Sequence, residues 1–148
     1  MFDDLIEMKG RLQFQLLRED GSELVWEVDN LVTLVGKGVI ADRMKAAPTL
    51  PPMSHMALGT SAVAPALGDT TLGAEVAGSR VAFTATTVVG AVITYTASFA
   101  PGVGTGALVE AGLFSAAAAG NMLARTTYAV VNKAPGDTLN VTWTVTVG

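Results

Sequence analysis

Residues 139–147 read "LNVTWTVTV". Leu139, Val141, Trp143, Val145 and Val147 fall on one side of an extended chain, and Asn140, Thr142, Thr144 and Thr146 on the other. Strict alternation of this kind marks a strand with one face in a core and one in water. The stretch "NKAPGD" before it carries Pro135-Gly136, a turn signal that separates this strand from the preceding one. The strand sets the expectation for the rest of the chain, which repeats the pattern in weaker form.

Working back from there, "ALVEAGLFS" (107–115) and "NMLARTTYAVV" (121–131) read as strands joined by the turn "AAAAGN". "SRVAFTATTV" (79–88) puts Val81, Phe83 and Ala85 on one face, and "VITYTASFA" (92–100) puts Ile93, Tyr95, Ala97 and Phe99 on one face, with Gly90 as the pivot between them. "MSHMALG" (53–59) reads as a short strand, and "GTSAVAPALGDT" (59–70) as a loop. Near the start, "RLQFQL" (11–16) and "LVWEVD" (24–29) alternate on either side of Asp20-Gly21, a β-hairpin. Only "NLVTLVGKGVIADRMKAAP" changes period. Val35, Val39, Ile40 and Met44 recur at helical spacing, Thr33 stands as the N-cap and Pro48 just beyond the end, which predicts a helix over 34–46. Gly36 and Gly38 weaken that helix, and such glycines often mark the close approach of another backbone.

The organisation expected is one domain over 1–148: an acidic arm at 1–8, a hairpin at 9–29, the helix at 34–46 and the main strands over 53–148. About eight strands with frequent turns predict a mainly β fold, a two-sheet β-sandwich of jelly-roll-like or Greek-key type. Half of the 148 residues are apolar, which excludes disorder. The acidic "MFDDLIEMKG" is neither a secretory signal nor a transit peptide, and no apolar run is long enough for a membrane helix, so synthesis in a cytoplasm is expected. The chain has no cysteine, which removes disulfides and thiol chemistry, and one histidine, which leaves no zinc cluster. A net charge of −4 argues against binding to a phosphate backbone.

The charges are unevenly spread. After residue 45 only Asp69, Glu75, Arg80, Glu110, Arg125, Lys133 and Asp137 are charged. Either Thr-rich half-buried strands clothe that surface, or neighbouring subunits cover it, because interface cores are depleted of charge.

No constellation for catalysis emerges. Glu110 lacks a second acid or histidine nearby and reads as a carboxylate at a strand edge, paired with Arg80 or Arg125 or capping backbone amides. "GVGTG" (102–106) precedes a strand rather than a helix and lacks the Lys-Ser/Thr ending of a phosphate loop. His55 reads as a hydrogen-bonded structural residue, with no serine in a nucleophile-elbow pattern. Trp26 and Trp143 read as core or interface anchors. The expectation is a protein that is not an enzyme and carries no cofactor or metal.

Three segments, "NLVTLVGKGVIADRM", "MSHMALGTSAVAPALGDTTLGAE" and "EAGLFSAAAAGNMLARTTYAVVNKAPGDTLNVTWTVTVG", together resemble a group of small structural proteins of tailed bacteriophages. The resemblance covers most of residues 30–148 and departs from the group's pattern at Ser61, where a second glycine is expected. It implies a virion structural protein: a capsid cement or decoration protein that binds across major capsid protein subunits, or else a tail or tail-fibre adaptor. A compact chain with no repeats or shaft segments suits the first. A carbohydrate-binding module for host attachment is a third reading, for which nine aromatic residues, mostly on apolar faces, are few. The partners expected are the major capsid protein and a second copy of the chain at two-fold positions, with no nucleic acid and no membrane. The location expected is the capsid surface, after synthesis in the host bacterium. The contact residues expected lie in the arm (Phe2, Asp3, Asp4, Leu5), in the loop after residue 59 (Thr60, Ser61, Val63, Pro65, Leu67) and in the loop at 101–106 (Val103, Thr105).

Overall fold

A computed structural model describes residues 7–148. Its elements are β1 (Met8–Leu17), β2 (Glu23–Val32), α1 (Leu34–Arg43), β3 (His55–Gly59), β4 (Val81–Ala82), β5 (Ala85–Val89), β6 (Val92–Phe99), β7 (Gly106–Phe114), β8 (Met122–Lys133) and β9 (Thr138–Val147). The mainly β expectation holds. All pairings are antiparallel, and the strands form one curled sheet in the order β4-β3-β7-β8-β2-β1-β9-β6-β5.

Alternation builds the central strands. In β1, Leu12, Phe14 and Leu16 are buried while Arg11, Gln13 and Leu17 are exposed. Leu139, Val141, Trp143 and Val145 of β9 are buried beside them, in register with Leu16, Phe14, Leu12 and Gly10. The opposite half of the curled sheet supplies Met56 and Leu58 from β3, Leu108, Ala111 and Leu113 from β7, and Leu123 and Val131 from β8 to the same core. The two halves are joined in the sheet where Leu31 and Val32 of β2 meet Arg125 and Ala124 of β8.

Several boundaries differ from the sequence reading. The hairpin extends from 9–29 to 8–32, so Met8 belongs to β1 rather than to the arm; residues 1–6, including Phe2, Asp3, Asp4 and Leu5, lie outside the described residues. The helix ends at Arg43, and Met44 is its exposed C-cap. Thr33 is the N-cap as expected, its Oγ1 accepting the Gly36 N–H at 2.9 Å. Gly36 is the close approach: a Cβ there would collide with the Leu123 carbonyl of β8, whereas Gly38 faces open space. Finally, the single strand expected over 79–88 is two. β4 pairs with β3 and β5 with β6, so the chain passes from one end of the sheet to the other at Phe83-Thr84. The backbone follows the switch: Phe83 N–H donates to Ser54 O at 3.0 Å and Thr84 N–H to Thr96 O at 2.8 Å. Period-two patterning cannot reveal such a switch, because the side chains keep alternating while the hydrogen-bonding partner changes.

Candidate interaction surface

The segment 60–80 connects β3 to β4 and lies over the outer side of β3, β7 and β8. Leu72 packs there with Ala57, Phe114 and Met122, a small apolar cluster separate from the main core. Gly112 makes room for it, since a Cβ at that position would press on Leu72, Phe114 and Met122.

Polar contacts hold the segment at its middle. Glu110 is fully buried in β7, in the interior of the sheet and not at a strand edge as expected. Its Oε1 accepts the Ala74 N–H at 2.7 Å, and its Oε2 accepts the Gly73 N–H at 3.0 Å. Arg125 on β8 donates to the same Oε2 from Nε at 3.1 Å and from Nη2 at 2.7 Å. The sequence reading offered Arg80 or Arg125 as the partner, and it is Arg125 that pairs. Arg125 also reaches Asp69 Oδ2 through Nη1 at 3.0 Å and the Val63 carbonyl through Nη2 at 2.9 Å. Four N–H groups therefore offset the desolvation of one carboxylate, which a buried charge requires. Tyr128 Oη donates to the Glu110 carbonyl at 3.1 Å, and burial, with the Glu110 charge in support, pushes its phenol well above the usual range.

Further contacts fix the two ends. The Leu67 carbonyl accepts the Leu34 N–H at 2.9 Å, which satisfies an orphan donor of the first turn of α1. At the far end, Ser79 Oγ donates to Leu58 O at 3.0 Å, and Arg80 pairs with Glu75 (2.6 Å) with its guanidinium 3.7 Å from the centre of the Phe114 ring. Arg80 Nη1 donates to the carbonyls of Ala116 (3.1 Å) and Ala119 (2.7 Å).

Of the expected contact residues in this loop, Thr60, Val63 and Leu67 are exposed, Val63 by 71% and Leu67 by 45%; Ser61 and Pro65 are half-buried. A shallow groove of about 440 Å³ runs between Ser61, Val63, Asp69 and Thr71, with Arg125 at its floor. The second loop lies beside the root of the first: Gly104 rests against Leu58 and Ser79. Val103 is half-buried and packs against the main core, and Thr105 is half-buried. His55 is half-buried with its Nδ1 2.7 Å from Ser54 Oγ, as a structural histidine would be. Trp143 is buried, its Nε1–H donating to Asn30 Oδ1 at 2.9 Å, and Trp26 stacks on Phe14 at 4.9 Å.

Sequence reasoning anticipated an arginine or backbone amides for Glu110 but not how the other charges of the body are used. Asp69, Glu110 and Arg125 form the network above, and Glu75 pairs with Arg80. Asp137 is buried, accepting Arg18 Nη1 at 3.1 Å and the Ala134 N–H at 2.9 Å; Lys133 is buried with its Nζ 3.0 Å from Ala100 O. All seven charged side chains after residue 45 thus sit in an internal contact. Their scarcity in the sequence was the one available signal, and it does not say which way they point.

An apolar cleft of about 250 Å³ lies between α1 and the strand ends, lined by Met8, Val39, Ile40, Met53, Ile93 and Tyr95 among others. Burial pushes the Tyr95 phenol up to about 12. No helix among the described residues is long and apolar enough to cross a membrane. No family model, curated protein or solved structure matches the chain.

Proposed function

We propose that this chain is a structural protein of a virus particle, a capsid cement protein that binds across major capsid protein subunits and also contacts a second copy of itself. In this reading the two halves of the curled sheet act as the layers of a jelly-roll-like sandwich, and the protein is carried on the particle surface after synthesis in the host bacterium. No reaction is assigned to it, since Glu110, the acid most open to a catalytic reading, is fully buried and bound by four N–H donors.

The observation that carries this reading is the use of charge. A body of about one hundred residues carries only seven charges and engages each in an internal contact, so that its surface is mainly Thr, Ser, Ala and Val, with Glu75 and Asp69 partly exposed. A surface so poor in charge suits coverage by neighbouring subunits better than free solution. The clamped loop supports the same reading, because it holds Val63 and Leu67 outward on an immobilised backbone, which lowers the ordering cost of binding. The resemblance to phage structural proteins supplies the kind of partner. Binding to the assembled shell and not to its separated subunits would stabilise the shell by mass action.

Copy number in purified particles, measured by quantitative mass spectrometry against the major shell protein, tests the proposal. Near-equal stoichiometry is the expected outcome, reduced at least tenfold by V63D combined with L67D. A handful of copies in multiples of three or six would overturn the cement reading in favour of a tail adaptor.

A further inference from the structure

The sheet has two ends, and they are built differently. β4, at one end, is two residues long. β5, at the other, runs for five residues, "ATTVV", and every one of them is exposed, Val88 by 67% and Val89 by 78%. Proteins blunt free edges with short strands, charges, prolines or bulges. The free stretch of β2 follows that rule, carrying Glu23, Glu27 and Asp29 outside its short pairing with β8. β5 does not: residues 81–109 contain no charged side chain, and β5 itself is rich in Thr and Val, which favour strands.

The hydrogen-bonding phase of this edge can be derived. β5 and β6 are joined by the two-residue turn Gly90-Ala91, with Val89 opposite Val92 and Gly90 at φ +59°. In such a hairpin the residues flanking the turn form a hydrogen-bonded pair. Every second pair then follows, so Val89, Thr87 and Ala85 bond to Val92, Thr94 and Thr96. The other side of the hairpin agrees: the Val147 N–H donates to the Ala91 carbonyl at 2.9 Å, so Ala91 and the residues in phase with it serve β9. Thr86 and Val88 are therefore the β5 residues whose backbone N–H and C=O groups point away from the sheet.

We propose that β5 is the docking edge for a second copy of this chain, whose own β5 adds antiparallel about a two-fold axis at Thr87. In that register Thr86 of each copy faces Val88 of the other, and all four outward groups on each strand are paired. Thr87 meets its own counterpart in the close, non-hydrogen-bonded position, and Ala85 faces Val89, small against large. Charge points to a second copy and to this place: with a formal net charge of −4, two chains repel least where they meet through an uncharged segment. A closed two-fold contact also uses up the β5 edge of both copies at once, with nothing left to propagate. The strand is short against the roughly 800 Å² per partner of stable interfaces, so the dimer is expected to depend on concentration. This inference deepens the self-contact of the proposed function but does not depend on the shell, because its test uses free protein; failure of the particle stoichiometry would leave it standing.

The chain has no cysteine, so single cysteines report proximity cleanly. T87C should form an interchain disulfide at least ten times faster than V130C, a control also exposed but on β8, and faster than T86C or V88C, because only Thr87 faces its own copy. T87K should abolish concentration-dependent self-association in sedimentation, with an unchanged far-UV circular dichroism spectrum since β5 buries nothing. Equal cross-linking of T87C and V130C, a faster rate at residue 86 or 88, or wild-type sedimentation of T87K would each overturn the proposed pairing.

Discussion

β9 and β7 are both long strands in the interior of one sheet, yet only one of them wears its structure in its sequence. β9 alternates buried and half-buried residues from Leu139 to Thr146, because one face meets the core and the other meets water. In β7 every residue from Glu110 to Phe114 is buried. Its inner face meets the same core, and its outer face is covered by the segment 60–80. A pattern of period two is a statement about solvent on one side. Remove the solvent with a loop, and the pattern goes with it. The two strands also differ in what stabilises their outer faces: threonines in water for β9, a buried ion pair for β7.

The largest expected effect separates these two modes. Arg125→Met keeps volume but leaves Glu110 buried without its counter-charge, and should destabilise the protein by about 3–5 kcal/mol. The same substitution should loosen the loop, since Arg125 also holds Asp69 and the Val63 carbonyl. Chemical denaturation gives the first quantity, and hydrogen exchange at Gly73 and Ala74 the second. If exchange at those two amides stays as slow as in β9, the loop is not held by the network.

Trp143→Phe probes the other mode. It shrinks the largest buried side chain and strands the Asn30 Oδ1 that accepts the indole N–H. A loss of about 1.5–3 kcal/mol is expected from the cavity and the unsatisfied acceptor together. The effect should appear as a cooperative drop in the unfolding midpoint, with loop exchange unchanged relative to global unfolding. Preferential loosening of Gly73 and Ala74 would mean that the two faces are coupled more tightly than their separate clusters suggest.

What was legible in the sequence follows the same division. The β1–β2 hairpin, the cap at Thr33, the turn at Gly90 and the alternation of β6 and β9 are local or one-sided features, and each was legible, the hairpin with shorter bounds than it has in the fold. The strand switch at Phe83-Thr84 was not, because pairing partners leave no mark on alternation. Glu110 was expected at an edge and lies inside the sheet, since nothing near it in sequence announces that Gly73 and Ala74, far back in the chain, supply its hydrogen bonds. The charge-poor body was visible, but the internal pairing of its seven charges, four of them buried, belongs to tertiary structure. Ser61 sits where Gly73 comes so close that a Cβ on Gly73 would collide with it, so the loop accommodates the serine only because its neighbour is glycine.

The two glycines of α1 bring the comparison down to a single turn of helix, and to its smallest effect. The sequence treats Gly36 and Gly38 alike: both weaken a helix, and both could mark a close approach. In the fold Gly36 faces the backbone of Leu123 on β8, and Gly38 faces water. Gly38→Ala adds a methyl group with nothing near it and removes backbone freedom from the unfolded chain, so it should stabilise by about 0.4–1 kcal/mol. Gly36→Ala gains the same propensity but drives its Cβ into the Leu123 carbonyl, and should come out destabilised by about 1–3 kcal/mol. Opposite shifts in the unfolding midpoint are therefore expected from the same chemical change two residues apart. Should both variants shift the same way, the helix would not be seated on β8 as closely as Gly36 requires. That outcome would also remove the reason for Thr33 to donate both its N–H and its hydroxyl to β8 carbonyls, at 3.0 Å and 2.7 Å, just ahead of the first turn.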